Sequence, residues 1–530
     1  MTRKILSIRI FCLVLFSSAC ASPGVKEPEK PSEPTVPATP TSTPMSDTQP
    51  TSVPETQAPS NETEVVTPTQ TEPAVTQNEN TVHPIEEEHV VIDNEKEDGY
   101  IDNIIVVIVR HDVEDEEILS WFPGEDASIV GRFPRLYQRQ VRIKPRNRQE
   151  LEVLANELMA KDQVLYAHLN LAGSTVGANS LARQSQAKAP GNEGDVTWQD
   201  APSQQKPENE WWYEVIKLKE AQVSMPKEFV KVAVVDDGFD TTHPDLNLAY
   251  ISKEQEDMSA PQEHGTHVAG IVQQIMPGAQ ITVLDSYRYP GKVEMGQYAT
   301  QCHHLKFLVD LVEADMKVIN CSMGSDIPLD ANIAWDVESS SIFSVYIWLL
   351  KQLGKDFILV QSAGNSGLDV YRNGYFSTLN TENCLGSEVV HKSLGVSDRL
   401  ELAQKEVFDS IVLVGAFEEK TRDGKYPLIR SSNYGEGVTI VAPGYEIRST
   451  VPGGYDVMGG TSQSAPIVAG GLGFLWSLDK TLTSDQLKQI LIKTSTEVAY
   501  DLVEGRPADK RQTYPIFNLL EAVKFVLKDG

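Results

Sequence analysis

The chain has 530 residues, of which 40% are hydrophobic and 23% charged, and it carries a formal net charge of −29. That length accommodates roughly two to four domains with buried cores. The acidic balance excludes nucleic acid as a partner, because phosphate binding requires a basic face.

At the start, Arg3, Lys4 and Arg9 accompany an apolar stretch ending in Leu13-Val14-Leu15-Phe16, and the small residues Ser17-Ser18-Ala19-Cys20-Ala21 follow. A basic start, a short apolar core and a small-residue exit read as a secretory signal over residues 1–21. The apolar run is too short to span a bilayer, and no later segment does better. Two exits fit. Ala19-Cys20-Ala21 matches a small-x-small cleavage site that would release a free extracellular protein. Ser18-Ala19-Cys20 resembles a bacterial lipobox, with Cys20 lipidated and Ser17 standing where leucine is usual. The long tether that follows favours a cell-surface lipoprotein anchored through Cys20 over a freely secreted one. Cys302, Cys321 and Cys384 remain, an odd number without metal-ligand spacing, so no disulfide framework is implied. Cys302-His303-His304 reads as a helix surface, since adjacent helical positions point apart.

Residues 22–98 are dominated by Pro, Thr, Ser and Glu and bury too little apolar surface to offset their chain entropy; they read as a disordered spacer. Residues 99–172 form a small α+β unit. NIIVVIVRH is predicted as a strand, SIVGRFPRLYQRQVRIKP as strands around a turn, RQELEVLANELMAKD as an amphipathic helix and VLYAHLN as a closing strand. Residues 173–207 have the composition of an exposed processing linker. From 208 to 530, short apolar runs (VKVAVVD, ITVLD, KVINCS, FILVQSAG, IVLVGA, VTIVAPG) alternate with helical patterns such as YATQCHHLKFLVDLVEAD and SAPIVAGGLGFLWSL. That alternation predicts an α/β fold, a parallel sheet with helices on both faces. Sites in such sheets form at the C-terminal ends of strands.

Four segments carry chemistry at such ends. VAVVDDGFDTTHPDL places Asp236 and Asp237 at the close of a strand, EHGTHVAG places His264 at a helix start, and GGTSQSAPIVAGG places Ser462 at another. A serine hydroxyl is a weak nucleophile that needs an adjacent base, and the base needs a group that fixes its tautomer. SAGNSG places Asn365 after a strand, where its amide would donate to a developing oxyanion beside the Ser462 backbone N–H. Ser322 and Gly324, ending the KVIN strand, offer backbone for pairing with an extended peptide.

Together these segments resemble the subtilisin-like (subtilase) serine peptidases, with the likeness running over residues 211–528. The resemblance implies a subtilisin-like parallel sheet preceded by a ferredoxin-like propeptide domain at 99–172. It implies an export-competent zymogen whose propeptide inhibits the cleft and is removed autocatalytically within 170–207. It assigns Asp236 to orienting the base, His264 to general base and acid, Ser462 to nucleophile and Asn365 to the oxyanion. Substrates are proteins or peptides, no cofactor is required for catalysis, and a monomer is expected.

The resemblance has departures. HGTHVAGIVQQIMPGAQITVLDS runs almost directly into the next strand, so the family's calcium loop is missing and Asp245 reads as structural; weaker calcium sites elsewhere stay open. Asp237, where subtilisins usually carry Ser or Thr, resembles the kexin/furin branch, as does GTSQSAP. That likeness implies that Asp237, with acidic neighbours such as Asp326, reads a basic substrate residue; a surface carboxylate at a loop is the alternative reading. An insertion at 367–408 holds Cys384. A processing peptidase with one partner, or a catalytically silent binding module, are the alternatives.

Overall fold

The computed structural model describes residues 79–93, 98–174, 202–286, 298–322, 334–370, 392, 400–506 and 512–529. The predicted signal, Cys20, most of the predicted spacer and processing linker, Gly324, Asp326 and Cys384 lie outside the described residues.

The N-terminal unit is a sheet built on one strongly apolar strand. Strands β1 (Val90–Asp93), β2 (Asp98–Val109), β3 (Ser128–Phe133), β4 (Gln138–Arg142) and β5 (Val164–Ser174) pair antiparallel, with β2 between β4 and β5. Ile104 to Val109 are fully buried, which places β2 at the centre and explains its unbroken run of β-branched residues. A short helix α1 (Asp115–Ser120) follows β2. Helix α2 (Arg148–Met159) begins at a capping box, the Asn147 side chain accepting from Glu150 N–H and the Glu150 carboxylate accepting from Asn147 N–H. It buries Leu151, Leu154 and Leu158 against the sheet.

Part of the predicted spacer has a defined structure. Residues 79–93, assigned to the spacer, run along the sheet as an arm. Thr81 and Arg132 exchange two backbone hydrogen bonds of 2.8 Å, His83 N–H donates to Gln140 Oε1 at 2.8 Å, and Arg142 donates to Glu86 at 2.7 Å. The arm carries few apolar residues, so these polar anchors and the Val90–Ile92 pairing hold it, and composition alone carried no trace of them.

In the C-terminal part, helices α3 (Trp211–Ile216) and α4 (Leu218–Ala221) lead into a parallel sheet. Its strands are β6 (Val232–Asp236), β7 (Leu248–Tyr250), β8 (Ile281–Asp285), β10 (Val318–Cys321), β11 (Ile358–Ser362), β12 (Ile411–Phe417) and β14 (Ile440–Pro443), with the short β13 (Tyr426–Pro427) in a separate sheet. They lie in the order β14-β12-β11-β10-β6-β8-β7 among the described residues, every pairing parallel. The six predicted apolar runs are β6, β8, β10, β11, β12 and β14. Their alternate residues sort to two cores. Val232, Val234, Val360 and Val414 face helices α6 (Glu263–Ile275), which follows the short α5 (Lys253–Met258), and α10 (Thr461–Leu478). Ala233, Val235, Ile319 and Leu359 face α7 (Gln301–Glu313), α8 (Ala334–Gln352) and α9 (Leu400–Asp409).

The second core is continuous with that of the N-terminal unit, which seats its sheet on α7 and α8; Phe133 meets Tyr346 edge-on at 6.1 Å between ring centroids. Two readings change here. Cys302 and His303 are buried beneath the N-terminal unit rather than set on a helix surface, and the Cys302 N–H donates to Asn170 Oδ1 at 3.3 Å. Burial pushes the His303 imidazole down to about 3, so it sits there neutral. Tyr298–Thr300, read as the first turn of α7, is instead a strand, β9, that pairs antiparallel with the end of β5: Ala172 with Thr300 and Ser174 with Tyr298. The N-terminal unit therefore ends by laying an extended chain on the C-terminal part, on the strand just before α7.

Candidate active site

Asp236 is the last residue of β6 and is 3% exposed. His264 is the second residue of α6, and its Nδ1–H donates to Asp236 Oδ1 at 2.6 Å. That bond selects the tautomer in which Nε2 carries the lone pair. Burial opposes charging the imidazole, but the Asp236 charge and hydrogen bond, with the Asp237 charge, outweigh it and raise His264 to about 9. The approach of α6 to β6 depends on a residue without a side chain. A Cβ on Gly265 would stand 2.3 Å from the Gly238 carbonyl oxygen and 3.1 Å from Asp236 Cβ. Gly265→Ala is expected to lower stability by about 1–3 kcal/mol, the usual cost of overpacking, and to displace His264. An unchanged denaturation midpoint with unchanged activity would contradict this.

Ser462 is the second residue of α10 and follows Gly460, whose φ of +135° is open to glycine and strained for any other residue. The Ser462 hydroxyl donates to the Ser322 carbonyl at 3.3 Å, and the Ser322 hydroxyl donates to the Ser462 carbonyl at 2.8 Å. The second bond has a sequence cause. Pro466 stands inside α10 and has no N–H for the carbonyl four residues earlier, which is that of Ser462. Ser322 Oγ supplies the missing donor, and Asn320 Nδ2 donates to Ser322 Oγ at 3.0 Å behind it. Because Cys321 is in register with Val235, Ser322 lies level with Asp236, so the nucleophile candidate and the Asp236–His264 pair share one sheet edge. Among the described hydrogen bonds, none joins Ser462 Oγ to His264. Asn365 follows β11, and its Oδ1 accepts from Thr461 N–H at 2.9 Å and from Thr461 Oγ1 at 3.1 Å. With the oxygen so engaged, the Nδ2 end of the carboxamide is the donor beside the start of α10.

The predicted residues thus fall into groups. Asp236 and His264 are directly bonded, while Ser462 and Asn365 meet at the turn into α10. Ser322, predicted to bind substrate through its backbone, is seen to brace Ser462, and Gly324 lies outside the described residues. Asn320 and Pro466 were missed; of these, Pro466, an apparent helix breaker inside a helical pattern, left a signal in the sequence. Asp245 pairs with Lys206 and accepts from the Tyr455 hydroxyl, which ties the segment 202–207 to the C-terminal part. Among the described residues, one group has ligand atoms close enough for a metal: Asp236, Asp237 and His264, within 4.8 Å of one another. An imidazole with two carboxylates does not supply the roughly six to eight oxygens that calcium takes. No helix among the described residues is long and apolar enough to cross a membrane.

A family model described as the subtilase family matches residues 227–512. The chain is 26% identical over 294 residues to subtilisin amylosacchariticus of Bacillus subtilis subsp. amylosacchariticus, covering 52% of this chain and 63% of that relative's length. It is 25% identical over 288 residues to a subtilisin of Bacillus pumilus, covering 52% of this chain and 87% of that protein. Among solved structures, fervidolysin of Fervidobacterium pennivorans, a keratinolytic enzyme related to subtilisin, matches with a TM-score of 0.50 and 16% identity. That match covers 85% of this chain and 64% of fervidolysin and bears on the fold.

Proposed function

The chain belongs to the subtilase family, and from that premise we propose that it is a serine endopeptidase hydrolysing peptide bonds through an acyl-enzyme on Ser462. The observation that carries this is the 2.6 Å bond between His264 Nδ1 and Asp236 Oδ1, at the sheet edge where Ser462 opens α10. His264 Nε2 takes the proton of the Ser462 hydroxyl as its oxygen attacks the substrate carbonyl. The imidazolium is stabilised by Asp236 and returns the proton to the leaving amine; a water then repeats the sequence to release the acid. The developing oxyanion meets Asn365 Nδ2 and the Ser462 N–H at the start of α10, a site already favourable to negative charge. No cofactor enters these steps.

In this reading the N-terminal unit is the inhibitory propeptide. Its support is the pairing of Ala172–Ser174 with β9, the arrangement by which an extended peptide adds to a sheet edge. Maturation then cuts within 175–201, directly after the paired strand. Export by the N-terminal signal and a lipid anchor at Cys20 complete the proposal. A fluorophosphonate probe tests the core of it: Ser462 should be labelled in the matured wild type and His264→Ala should label far more slowly. Absence of labelling on Ser462 in a folded, matured chain would overturn the acyl-enzyme.

A further inference from the structure

The Asp237 carboxyl adjoins both the Asp236–His264 pair and the helix that carries His264. Its Oδ1 accepts the Gly265 N–H at 3.0 Å, so it caps the backbone immediately after His264. Its own N–H donates to Asp236 Oδ1 at 2.9 Å, the same oxygen that receives His264 Nδ1–H. Asp236 Oδ2, by contrast, is buried and meets no hydrogen-bond donor among the described residues. Three side-chain atoms, a carboxylate oxygen from each of Asp236 and Asp237 and a ring nitrogen of His264, lie within 4.8 Å of one another. Two carboxylates thus crowd one imidazole, and one of their oxygens lacks a compensating donor.

We propose that Asp237 is a positioning residue of the peptidase reaction: it fixes the start of α6 through Gly265 and, as a second negative charge beside His264, stabilises the imidazolium. This rests on the peptidase reading above. The charge argument has a definite sign. Burial first, and then the neighbouring Asp236 charge, push Asp237 up to about 7, so it is ionised in the alkaline range. An adjacent anion favours the protonated imidazole, and a base must be neutral to accept the Ser462 proton, so activity rises only as pH passes a raised His264 value. Removing the Asp237 charge lowers that threshold. The other titratable groups around the imidazole do not replace it. Glu263 and His267 lie on its own helix, and burial keeps His267 neutral. Asp285 closes the neighbouring strand β8 and accepts from Ser259. Cys321 closes β10, its thiol pushed up to about 12 by burial and held neutral.

The inward-turned carboxyl assigns Asp237 to the base rather than to a basic substrate residue, and one experiment separates the two. The pH dependence of kcat/KM is measured for wild type and Asp237→Asn on two peptides, identical except for Lys or Gln before the scissile bond. Asp237→Ser serves as a second variant that removes the charge while keeping an oxygen for Gly265 N–H. Low-field proton NMR follows the His264 Nδ1–H in the full chain carrying Ser462→Ala, with and without Asp237→Asn. The acid limb and the imidazole titration are expected to fall together by about one to three pH units, equally on both peptides. An unmoved limb and titration, or a loss confined to the lysine peptide, would overturn the proposal. If wild type hydrolyses neither peptide, the peptidase reading fails, while the NMR titration still decides whether Asp237 controls His264.

Discussion

Full-length wild-type chain will split within residues 175–201, and the same chain carrying Ser462→Ala will stay whole. The expectation follows from connectivity. β9 adds to the sheet of the N-terminal unit beside the end of β5, through Ser174, so the cut is expected in the chain that follows this pairing. Ser462 braces against Ser322, which follows the strand neighbouring β6, so the proposed attacking group lies beside the C-terminal end of β6. Loss of the nucleophile should also reduce peptide hydrolysis by about 10⁶-fold, an extent taken from subtilisin itself rather than from this chain. Intact mass by spectrometry reads the result. Splitting of both chains would assign the cut to another protease, and persistence of both would remove the support for self-maturation.

Asn365→Ala should lower kcat by about 10²–10³-fold with little change in KM, again an extent taken from subtilisin. The substitution removes an observed contact and a proposed role together: the Asn365 oxygen holds Thr461 N–H at 2.9 Å, and its nitrogen is the proposed oxyanion donor. Asn365→Asp separates them, because a carboxylate keeps the acceptor for Thr461 and loses the donor. If the oxyanion function dominates, Asp will be at least as damaging as Ala. If holding the turn dominates, Asp will restore most of the rate. Steady-state kinetics on matured enzyme distinguish the two, with unfolding midpoints reporting any change in the turn itself.

The sequence disclosed those parts of the fold whose cause is local. Strands β6, β8 and β10 are buried on both faces, so their apolar runs name them, and the residues closing such strands mark the site edge. Asp236 was singled out for that reason, and His264, on α6, by the EHGTHVAG segment at a helix start. What escaped depends on partners distant in sequence. β9 is three residues that become a strand only because β5 arrives beside them. The 79–86 arm is held by Arg132, Gln140 and Arg142. The inward turn of Asp237 depends on the Gly265 N–H brought in by α6, and no pattern of residue types around Asp237 distinguishes inward from outward.

The arm beginning near Asn80 has a logistic consequence. Asn80 donates to Asp310 at 2.5 Å and to Glu313 at 3.1 Å on α7, so the arm reaches past its own unit onto the C-terminal part. A cut within 175–201 leaves Cys20, the arm and the paired strand on one fragment and Ser462 on the other. An anchor at Cys20 would then leash the brake and not the blade. The blade would stay at the cell surface only as long as this clasp of side chains and strand holds. Unblocking and departure would then be a single event, so an enzyme made on this plan would be quiet where it is moored and active where it drifts.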